Sequence, residues 1–351
     1  MLPYTHGGDV LTAQARYGGP VLDCSANLNP LGMPPQVGEA AARAAANAAP
    51  YPDPLCRELR AAIAAHDGVA PGQVLCGGGA AELIFRLAYA LRPRRALVTA
   101  PTFSEYEGAL SAAGCAVARH LLRRERNFDV DEGILEAIGP DTELVFLCTP
   151  NNPTGRLIDQ ELLLAAAEKC RGLGAVLAVD ECFLPLAYGG LGLAPWLEEY
   201  PNLLLLRAFT KSYAMAGLRL GYALCADTAL LERMSAGGPP WSVSTPAQAA
   251  GLAALTQCPH WPEKARAFLE GERPALAEGL SALGLDVVPG QANYLLFRAA
   301  GVTDLKESML TQGVLIRSCA NYHGLGEDWY RVCVGQAEQN ERLLAALREV
   351  L

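Results

Sequence analysis

One lysine draws attention because it closely follows an apolar run and precedes an arginine at short spacing. Lys211 comes directly after the run LLLLRAF (203–209) and Thr210, and Arg219 lies eight residues further on, in TKSYAMAGLRLGY. A lysine in a loop is usually a solvated surface group, so this pattern needs support from other residues. The chemistry it would supply is that of an amine, which forms Schiff bases with carbonyl compounds.

Carboxylates and amides follow two other apolar runs. Asp180 and Glu181 end the run AVLAVDE, and Asn151 and Asn152 lie in the turn of LCTPNNPTG (147–155). In open α/β sheets, ligands bind in the crevice at the carboxyl ends of the strands. We therefore expect these side chains to lie near Lys211.

This set of groups matches the requirements of pyridoxal 5′-phosphate (PLP). A lysine forms the Schiff base, and a carboxylate keeps the pyridine nitrogen protonated so that the ring accepts electrons. An amide donates to the 3′-oxygen of the ring, and a cation with helix-terminal N–H groups holds the phosphate. The run VLCGGGAAELIFRL (74–87) predicts a strand, a glycine turn and a helix start, whose free N–H groups and dipole favour an anion at Gly79, Ala80 and Ala81.

The elements that position these residues alternate between strand and helix. Five short apolar runs without polar alternation are typical of buried strands: 96–100, 144–148, 175–180, 203–209 and 221–225. Helical patterns cover 81–91 and 160–173. The alternation predicts an α/β fold with a mostly parallel central sheet.

The pattern changes toward the C-terminus, which predicts a second domain. A long helix (261–283) precedes short strands around 293–298, 314–318 and 330–335, and a closing helix covers 337–351. The Gly- and Pro-containing stretch GGPPWS (237–242) indicates the boundary between the two domains. We expect three parts, which are an N-terminal segment (1–45) packing with the small domain, a large PLP-binding domain (46–240) and a small α+β domain (241–351).

The motifs PNNPTG, VDE and TKxYxxxGLRLGY resemble, in order and spacing, those of fold-type-I PLP enzymes of the histidinol-phosphate aminotransferase group. The resemblance covers nearly the whole chain and implies that fold. It assigns Lys211 to the Schiff base, Asp180 to the pyridinium nitrogen and Asn152 to the 3′-oxygen. It further implies that Thr210 and Arg219 bind the phosphate.

Two aromatic residues also match positions of that group. Phe103, in APTFSEY, corresponds to the aromatic that stacks on the ring. Tyr51, in YPDP, resembles the tyrosine that reaches the cofactor phosphate of a neighbouring subunit, which implies a homodimer with shared active sites.

Some positions depart from the pattern of the group. Relatives carry polar side chains or a hydroxyl where this chain has Ala80, Ala81 and Ala208, so phosphate binding should depend more on backbone amides, Thr210, Arg219 and Tyr51. Phe183 stands where many aminotransferases of the group have a tyrosine that donates to the 3′-oxygen. Asn152 would then make that bond alone.

Four segments are similar to one branch of the group, the threonine-phosphate decarboxylases of cobalamin synthesis: THGGDV (5–10), DCSANLNPLGMP (23–34), PPWSVS (239–244) and LIRSCANYHGL (315–325). The resemblance implies PLP-dependent decarboxylation of L-threonine O-3-phosphate to (R)-1-amino-2-propanol O-2-phosphate. It also implies that Arg317, Arg331, His6 and Asn29 bind the substrate. Arginines suit a carboxylate and a phosphate because they bind such anions bidentately.

Alternatives stay open from the sequence. An aminotransferase acting on histidinol phosphate or a related amine would carry the same PLP motifs and would need a 2-oxo acid acceptor. A PLP-binding regulator without turnover would carry a basic DNA-binding module, and the chain has no basic arm. No GxxxxGK[ST] motif of a P-loop NTPase occurs.

Composition narrows the partners and the setting. The 351 residues carry a formal net charge of −9, which disfavours general attraction to nucleic acid or anionic membranes. No apolar run reaches the roughly 18 residues of a membrane span, and the N-terminus lacks a signal-peptide pattern, so we expect a cytoplasmic enzyme of a small-molecule substrate. The 11 cysteines are scattered without a CxxC pair and are expected to act as small apolar residues rather than metal ligands.

Overall fold

The computed structural model describes residues 6–351, and its largest element is a seven-stranded sheet. The strand order is β2-β8-β7-β6-β5-β3-β4, and every neighbouring pair is parallel except those of β8, which is antiparallel to β2 and β7. The predicted mostly parallel sheet is thus confirmed. The strands are β2 (Val74–Gly77), β3 (Arg95–Ala100), β4 (Ala116–Leu121), β5 (Leu144–Cys148), β6 (Val176–Asp180), β7 (Leu203–Ala208) and β8 (Gly221–Cys225).

Helices cover both faces of this sheet. Successive strand residues point to opposite faces, so Leu97 and Val145 pack in one apolar cluster while Val98 and Phe146 pack in the other. This double burial explains why the strands lack polar alternation. One face carries α4 (Ala80–Leu91), α5 (Ser104–Ala112) and α9 (Thr228–Ala236). The other carries α2 (Pro35–Ala46), α3 (Arg57–Asp67), α6 (Gly133–Ala137), α7 (Gln160–Leu173) and α10 (Thr245–Gln257).

A smaller α+β unit forms around an antiparallel sheet of order β12-β13-β10-β9. Its strands are β9 (Asp286–Val287), β10 (Tyr294–Arg298), β12 (Arg317–Ser318) and β13 (Trp329–Cys333). Its helices are α1 (Val10–Tyr17), α11 (Trp261–Ala282), α12 (Leu305–Thr311) and α13 (Ala337–Val350). A separate apolar cluster, with Leu269, Phe297 and Leu343, fills its interior.

The predicted strand at 314–318 is two strands. Residues Val314–Leu315 form β11, which pairs in parallel with β1 (Leu22–Asp23), whereas Arg317–Ser318 pair with β13. The chain therefore changes sheets at Ile316, which is fully buried between them. This change turns Arg317 toward the large domain.

The N-terminal segment contacts both units. Strand β1 pairs with β11 of the small unit, whereas α2 packs against α10 on the large sheet. The limits at residues 45 and 240 stay predictions, and the packing of α10 favours a small domain that begins between α10 and α11. Within residues 6–351, no helix combines the length and the apolar character needed to cross a bilayer.

Candidate active site

A cavity of about 390 Å³ lies at the carboxyl ends of β5, β6 and β7, where the two units and the N-terminal segment meet. Its volume is in the range of small-molecule sites. The predicted residues that line it are His6, Ala80, Ala81, Phe103, Asn152, Asp180, Thr210, Lys211, Arg219, Arg317 and Arg331. The sheet edge thus brings together most of the residues that the sequence analysis selected.

Lys211 lies on the short helix α8 (Phe209–Ser212), directly after β7. Its Nζ atom is 5.2 Å from the centroid of the Phe183 ring. Burial, followed by the nearby charge of Arg331, lowers the pKa of Lys211 to about 8. A substantial fraction of the amine is therefore neutral near physiological pH, which is the form that attacks a carbonyl.

Asp180 ends β6 and is almost completely buried. Its Oδ1 accepts a hydrogen bond from the backbone N–H of Cys182 (2.9 Å), and its Oδ2 accepts one from the hydroxyl of Tyr106 (2.6 Å). A carboxylate held at the cavity wall by two neutral donors is suited to receive the N–H of a pyridinium ring.

Asn152 lies in the turn after β5. Its side-chain oxygen accepts a hydrogen bond from Arg331 and lies 3.4 Å from the hydroxyl of Tyr322. Within residues 6–351, its side-chain NH2 group makes no hydrogen bond, so it can donate to a ligand. Donation from this group to a ring oxygen stays a prediction.

An anion cup is formed where the glycine turn meets α4. Gly79 precedes the helix with φ +96, and a Cβ there would lie 2.6 Å from Nη2 of Arg219. Only glycine lets the guanidinium pack this closely on the turn. Ala80 and Ala81 open the helix, Thr210 lies alongside, and the helix N-terminus adds N–H groups and its dipole. The amine, the carboxylate, the amide and this cup together fit a phosphorylated pyridine aldehyde.

The cavity carries more positive charge than one phosphate needs. Four cations line it (Lys211, Arg219, Arg317 and Arg331) against a single carboxylate, Asp180. None of the four forms an ion pair within the part of the chain that the structure describes. Two of them, Arg317 and Arg331, are buried, and burying unpaired cations is costly, so the site is built for anionic groups beyond the cofactor phosphate.

Arg317 and Arg331 approach from the small domain and are both buried. Arg331 also donates to the backbone oxygen of Ser25 (2.8 Å), and its buried Nε atom has no partner among the described residues. Arg317 donates to Asn321 (2.7 Å) and lies over the ring of Tyr322. Both arginines thus keep donors available for a ligand.

The three remaining predicted residues differ in their position relative to the cavity. His6 lines the cavity, with Nε2 2.9 Å from the Glu105 carboxylate. Asn29 does not line the cavity. Its NH2 group donates to the backbone oxygen of Ser212 (2.7 Å), and its side-chain oxygen accepts from the N–H of Leu31. Tyr51 is also outside it and is 78% exposed.

Sequence reasoning missed Asn27. This residue lines the cavity and is 1% exposed, and within residues 6–351 neither atom of its side-chain amide has a hydrogen-bond partner. A buried amide without partners costs free energy unless a ligand satisfies it. The stretch SANLNP contains two asparagines, and only the contacts of Asn29 with distant backbone reveal which one faces the cavity.

Comparisons with known proteins agree with this geometry. A family model described as "Aminotransferase class I and II" matches residues 20–347. A threonine-phosphate decarboxylase of Salmonella typhimurium is 43% identical to the chain, covering 99% of it and 96% of the relative. A histidinol-phosphate aminotransferase of Anaeromyxobacter is 36% identical, covering 100% of the chain and 97% of the relative.

The fold is also found among solved structures. The crystal structure of the histidinol-phosphate aminotransferase from Clostridium acetobutylicum superimposes with a TM-score of 0.87 at 27% identity, covering 94% of this chain and 99% of that one. The fold-type-I architecture and the resemblance predicted from the sequence are therefore confirmed. On the evidence of its sequence, its sheet order and its site, the chain belongs to the aminotransferase class I and II family.

Proposed function

We propose that this protein is a PLP-dependent decarboxylase that converts L-threonine O-3-phosphate to (R)-1-amino-2-propanol O-2-phosphate, for the aminopropanol arm of cobalamin biosynthesis. The observation that carries the proposal is the set of four cations in the cavity, none of them in an ion pair within residues 6–351, facing one carboxylate. One phosphate on the cofactor and two anionic groups on the substrate account for this excess of positive charge. The full-length similarity to a threonine-phosphate decarboxylase supports the same substrate.

The residues of the large domain hold the cofactor. Lys211 would hold PLP through its amine, Asp180 would receive the N–H of the pyridinium ring, and Asn152 would donate to the 3′-oxygen. Arg219, Thr210 and the N–H groups after Gly79 bind the phosphate, and Phe103 packs on the ring. Bound PLP supplies an electron sink for the bond that breaks at Cα.

The residues of the small domain and the N-terminal segment hold the substrate. Arg317 and Arg331 bind the phosphate and the carboxylate between them. Asn27 adds an amide whose hydrogen bonds are otherwise unmade within the described chain, and His6 lies at the same wall. Where the two arginines hold the carboxylate would decide which bond to Cα breaks, and their grip would favour loss of CO2 over loss of the Cα proton.

Lys211 also handles the proton. Release of CO2 leaves the C–CO2 bond electrons on the substrate side, and a proton must replace the carboxylate at Cα. The Nζ atom of Lys211 delivers it, and a pKa of about 8 suits an amine that both gains and gives up a proton near neutral pH.

A second copy of the chain completes the cup. Tyr51 lies outside the cavity of its own chain, 78% exposed and stacked on Trp241 with ring centroids 4.6 Å apart. The cup carries alanines where hydroxyls would bind phosphate, so a tyrosine from a partner supplies a missing donor. Each subunit of a homodimer then lends its Tyr51 to the other site.

Complementation tests the shared site. Lys211→Ala and Tyr51→Ala subunits, each weak or inactive as homodimers, are mixed and reassembled. A mixed dimer contains one site with Lys211 and the partner's intact Tyr51, so activity should return. No recovery in dimers verified by sedimentation would contradict the sharing.

The cysteines also bear on the cellular compartment of the protein. All 11 cysteines lie within the described chain and are free, and most are buried. Unpaired cysteines in this number suit a reducing compartment, so we assign the enzyme to the cytoplasm.

The reaction is tested by CO2 release from L-threonine O-3-phosphate, using PLP-loaded protein without a 2-oxo acid. Turnover that disappears in Lys211→Ala supports the decarboxylase. No CO2, together with conversion of the cofactor to the pyridoxamine form by an amino donor, would instead favour an aminotransferase such as one acting on histidinol phosphate.

A further inference from the structure

Tyr106 contacts the proposed cofactor site, although the sequence around it does not predict this contact. It lies on α5, three residues after Phe103, and is completely buried. Its hydroxyl donates to Oδ2 of Asp180 at 2.6 Å. The residue therefore touches the carboxylate that receives the pyridinium N–H in the proposed function.

The ring of Tyr106 is fixed on two sides. It stacks on Phe146 of β5, with ring centroids 4.9 Å apart and planes 8° apart. Phe103 meets its edge, with centroids 5.6 Å apart and planes at 83°. Tyr106 thus contacts both Phe103, which would pack on the cofactor ring, and the Asp180 carboxylate, and its hydroxyl has little freedom to move.

The hydroxyl acts as a neutral donor. Burial, and then the negative charge of Asp180, raises the pKa of Tyr106 well above its ordinary value, so the phenol keeps its proton. Burial likewise raises the pKa of the neighbouring Cys148 thiol, which stays uncharged. Neither Tyr106 nor Cys148 is therefore an anion beside the Asp180 carboxylate, and each oxygen of Asp180 receives one neutral donor.

We propose that Tyr106 is a positioning residue for the cofactor, which holds the Asp180 carboxylate oriented so that the ring nitrogen of PLP stays protonated. A carboxylate held by neutral donors keeps its charge in a buried site, and that charge makes the ring an effective electron sink. The inference rests on PLP binding in the proposed function, but it is independent of whether the enzyme decarboxylates or transaminates.

The test compares Tyr106→Phe with a matched buried tyrosine. Tyr106→Phe keeps the ring that packs on Phe146 and removes only the hydroxyl. Tyr330→Phe is the control, because Tyr330 is fully buried in the small domain and its hydroxyl donates to the backbone oxygen of Val302 (2.9 Å). Both proteins are loaded with PLP that carries 15N at the ring nitrogen and are followed by 15N NMR across pH.

In Tyr106→Phe, we expect the ring nitrogen to lose its proton at a pH lower by about one unit, and the PLP dissociation constant to rise about tenfold. We expect kcat to fall with KM unchanged within about twofold, because substrate contacts are intact. Tyr330→Phe should match the unsubstituted enzyme in all three measurements.

Asp180→Asn separates this inference from the wider proposal. If it deprotonates the ring nitrogen while Tyr106→Phe leaves nitrogen titration and PLP affinity unchanged, Tyr106 only packs and the inference is overturned. If Asp180→Asn also leaves the nitrogen unchanged, the proposed cofactor orientation fails as well.

Discussion

Arg331, on β13 of the small domain, donates a hydrogen bond to the side-chain oxygen of Asn152, in the turn after β5 of the large sheet. The same guanidinium donates to the backbone oxygen of Ser25, in the N-terminal segment. One buried cation therefore joins the three parts of the chain that form the cavity. Because Arg331 bonds the side-chain oxygen of Asn152, the NH2 group of Asn152 stays available to a ligand.

The first prediction concerns Arg331→Lys. Lysine keeps the charge but loses the planar fork that reaches Asn152, Ser25 and an anion together. We expect kcat/KM for L-threonine O-3-phosphate to fall by about 30-fold or more, since loss of a buried charged hydrogen-bond partner costs about 2–5 kcal/mol.

The control for this change is Arg298→Lys on the neighbouring strand β10. Arg298 is half-exposed and pairs with Asp328 at 2.6 Å, away from the cavity. Its substitution should leave kcat/KM unchanged within about twofold, as expected for an exposed ion pair. If steady-state kinetics gave the same change in kcat/KM for both variants, a role for Arg331 in binding the substrate would be contradicted.

The second prediction concerns pH and Lys211. Since burial and Arg331 lower the pKa of Lys211 to about 8, its amine is protonated below that pH and neutral above it. The rate at which PLP-free protein takes up PLP should therefore rise with pH and level off above pH of about 8. Stopped-flow absorbance of the visible band measures this rate.

Arg331→Gln provides the control for the pH profile. Removing this positive charge takes away the second cause of the lowered pKa, so the midpoint should move to higher pH. A midpoint near the ordinary lysine value of 10.5 in the unsubstituted protein would show that the amine is not buried among cations as described.

Much of the central sheet could be predicted because its strands are buried on both faces. The runs at 144–148 and 221–225 match β5 and β8 in both bounds, and their polar neighbours mark the edge where the site forms. Strand β4 (Ala116–Leu121) was not predicted, because it is an edge strand with partly exposed residues and no continuous apolar run. The antiparallel direction of β8 depends on its pairing with β2, which local sequence does not encode.

Part of the site needed the fold. Lys211, Asp180 and Asn152 were predicted because each follows an apolar strand. Asn27 and Tyr106 were missed because tertiary structure, and not the local sequence, places them at the cavity. Tyr106 looks like an ordinary core residue of α5 until β6 brings Asp180 to its hydroxyl, 74 positions later.

The third prediction separates the two asparagines of the N-terminal segment. Asn27→Ala should lower kcat/KM about tenfold to 100-fold, because a hydrogen bond to a charged ligand contributes about 1.5–3 kcal/mol. The unfolding midpoint should not fall, since the amide of Asn27 has no partner within the described chain.

Asn29→Ala should have the opposite profile. Its amide satisfies the buried backbone oxygen of Ser212 and the N–H of Leu31, and leaving such groups unpaired costs about 1–3 kcal/mol. Stability should fall in urea unfolding, with only an indirect effect on KM. If Asn29→Ala raised KM without loss of stability, our assignment of the two residues would be reversed.

The last prediction concerns Arg86, a buried arginine behind the anion cup. It pairs with Glu82 on α4 and donates to the backbone oxygen of Pro239 (3.1 Å) and the hydroxyl of Ser242 (3.0 Å). Glu82 in turn accepts the backbone N–H of Gly78, in the glycine turn. Arg86 therefore braces the cup against the loop that carries Trp241.

Arg86→Met should remove this brace. Because it leaves the Glu82 carboxylate, whose side chain is 20% exposed, without its partner, we expect a loss of about 1–3 kcal/mol in the free energy of unfolding. PLP affinity should also fall, since Glu82 no longer fixes the turn.

Arg43→Met is the matched control, because Arg43 and Glu39 form an ion pair of the same spacing on α2 (3.5 Å) with both side chains 67% exposed. Such an exposed pair contributes about 1 kcal/mol or less. Urea unfolding and PLP titration measure both quantities in the two variants. Equal losses of stability and of PLP affinity would show that Arg86 does not stabilise the cup.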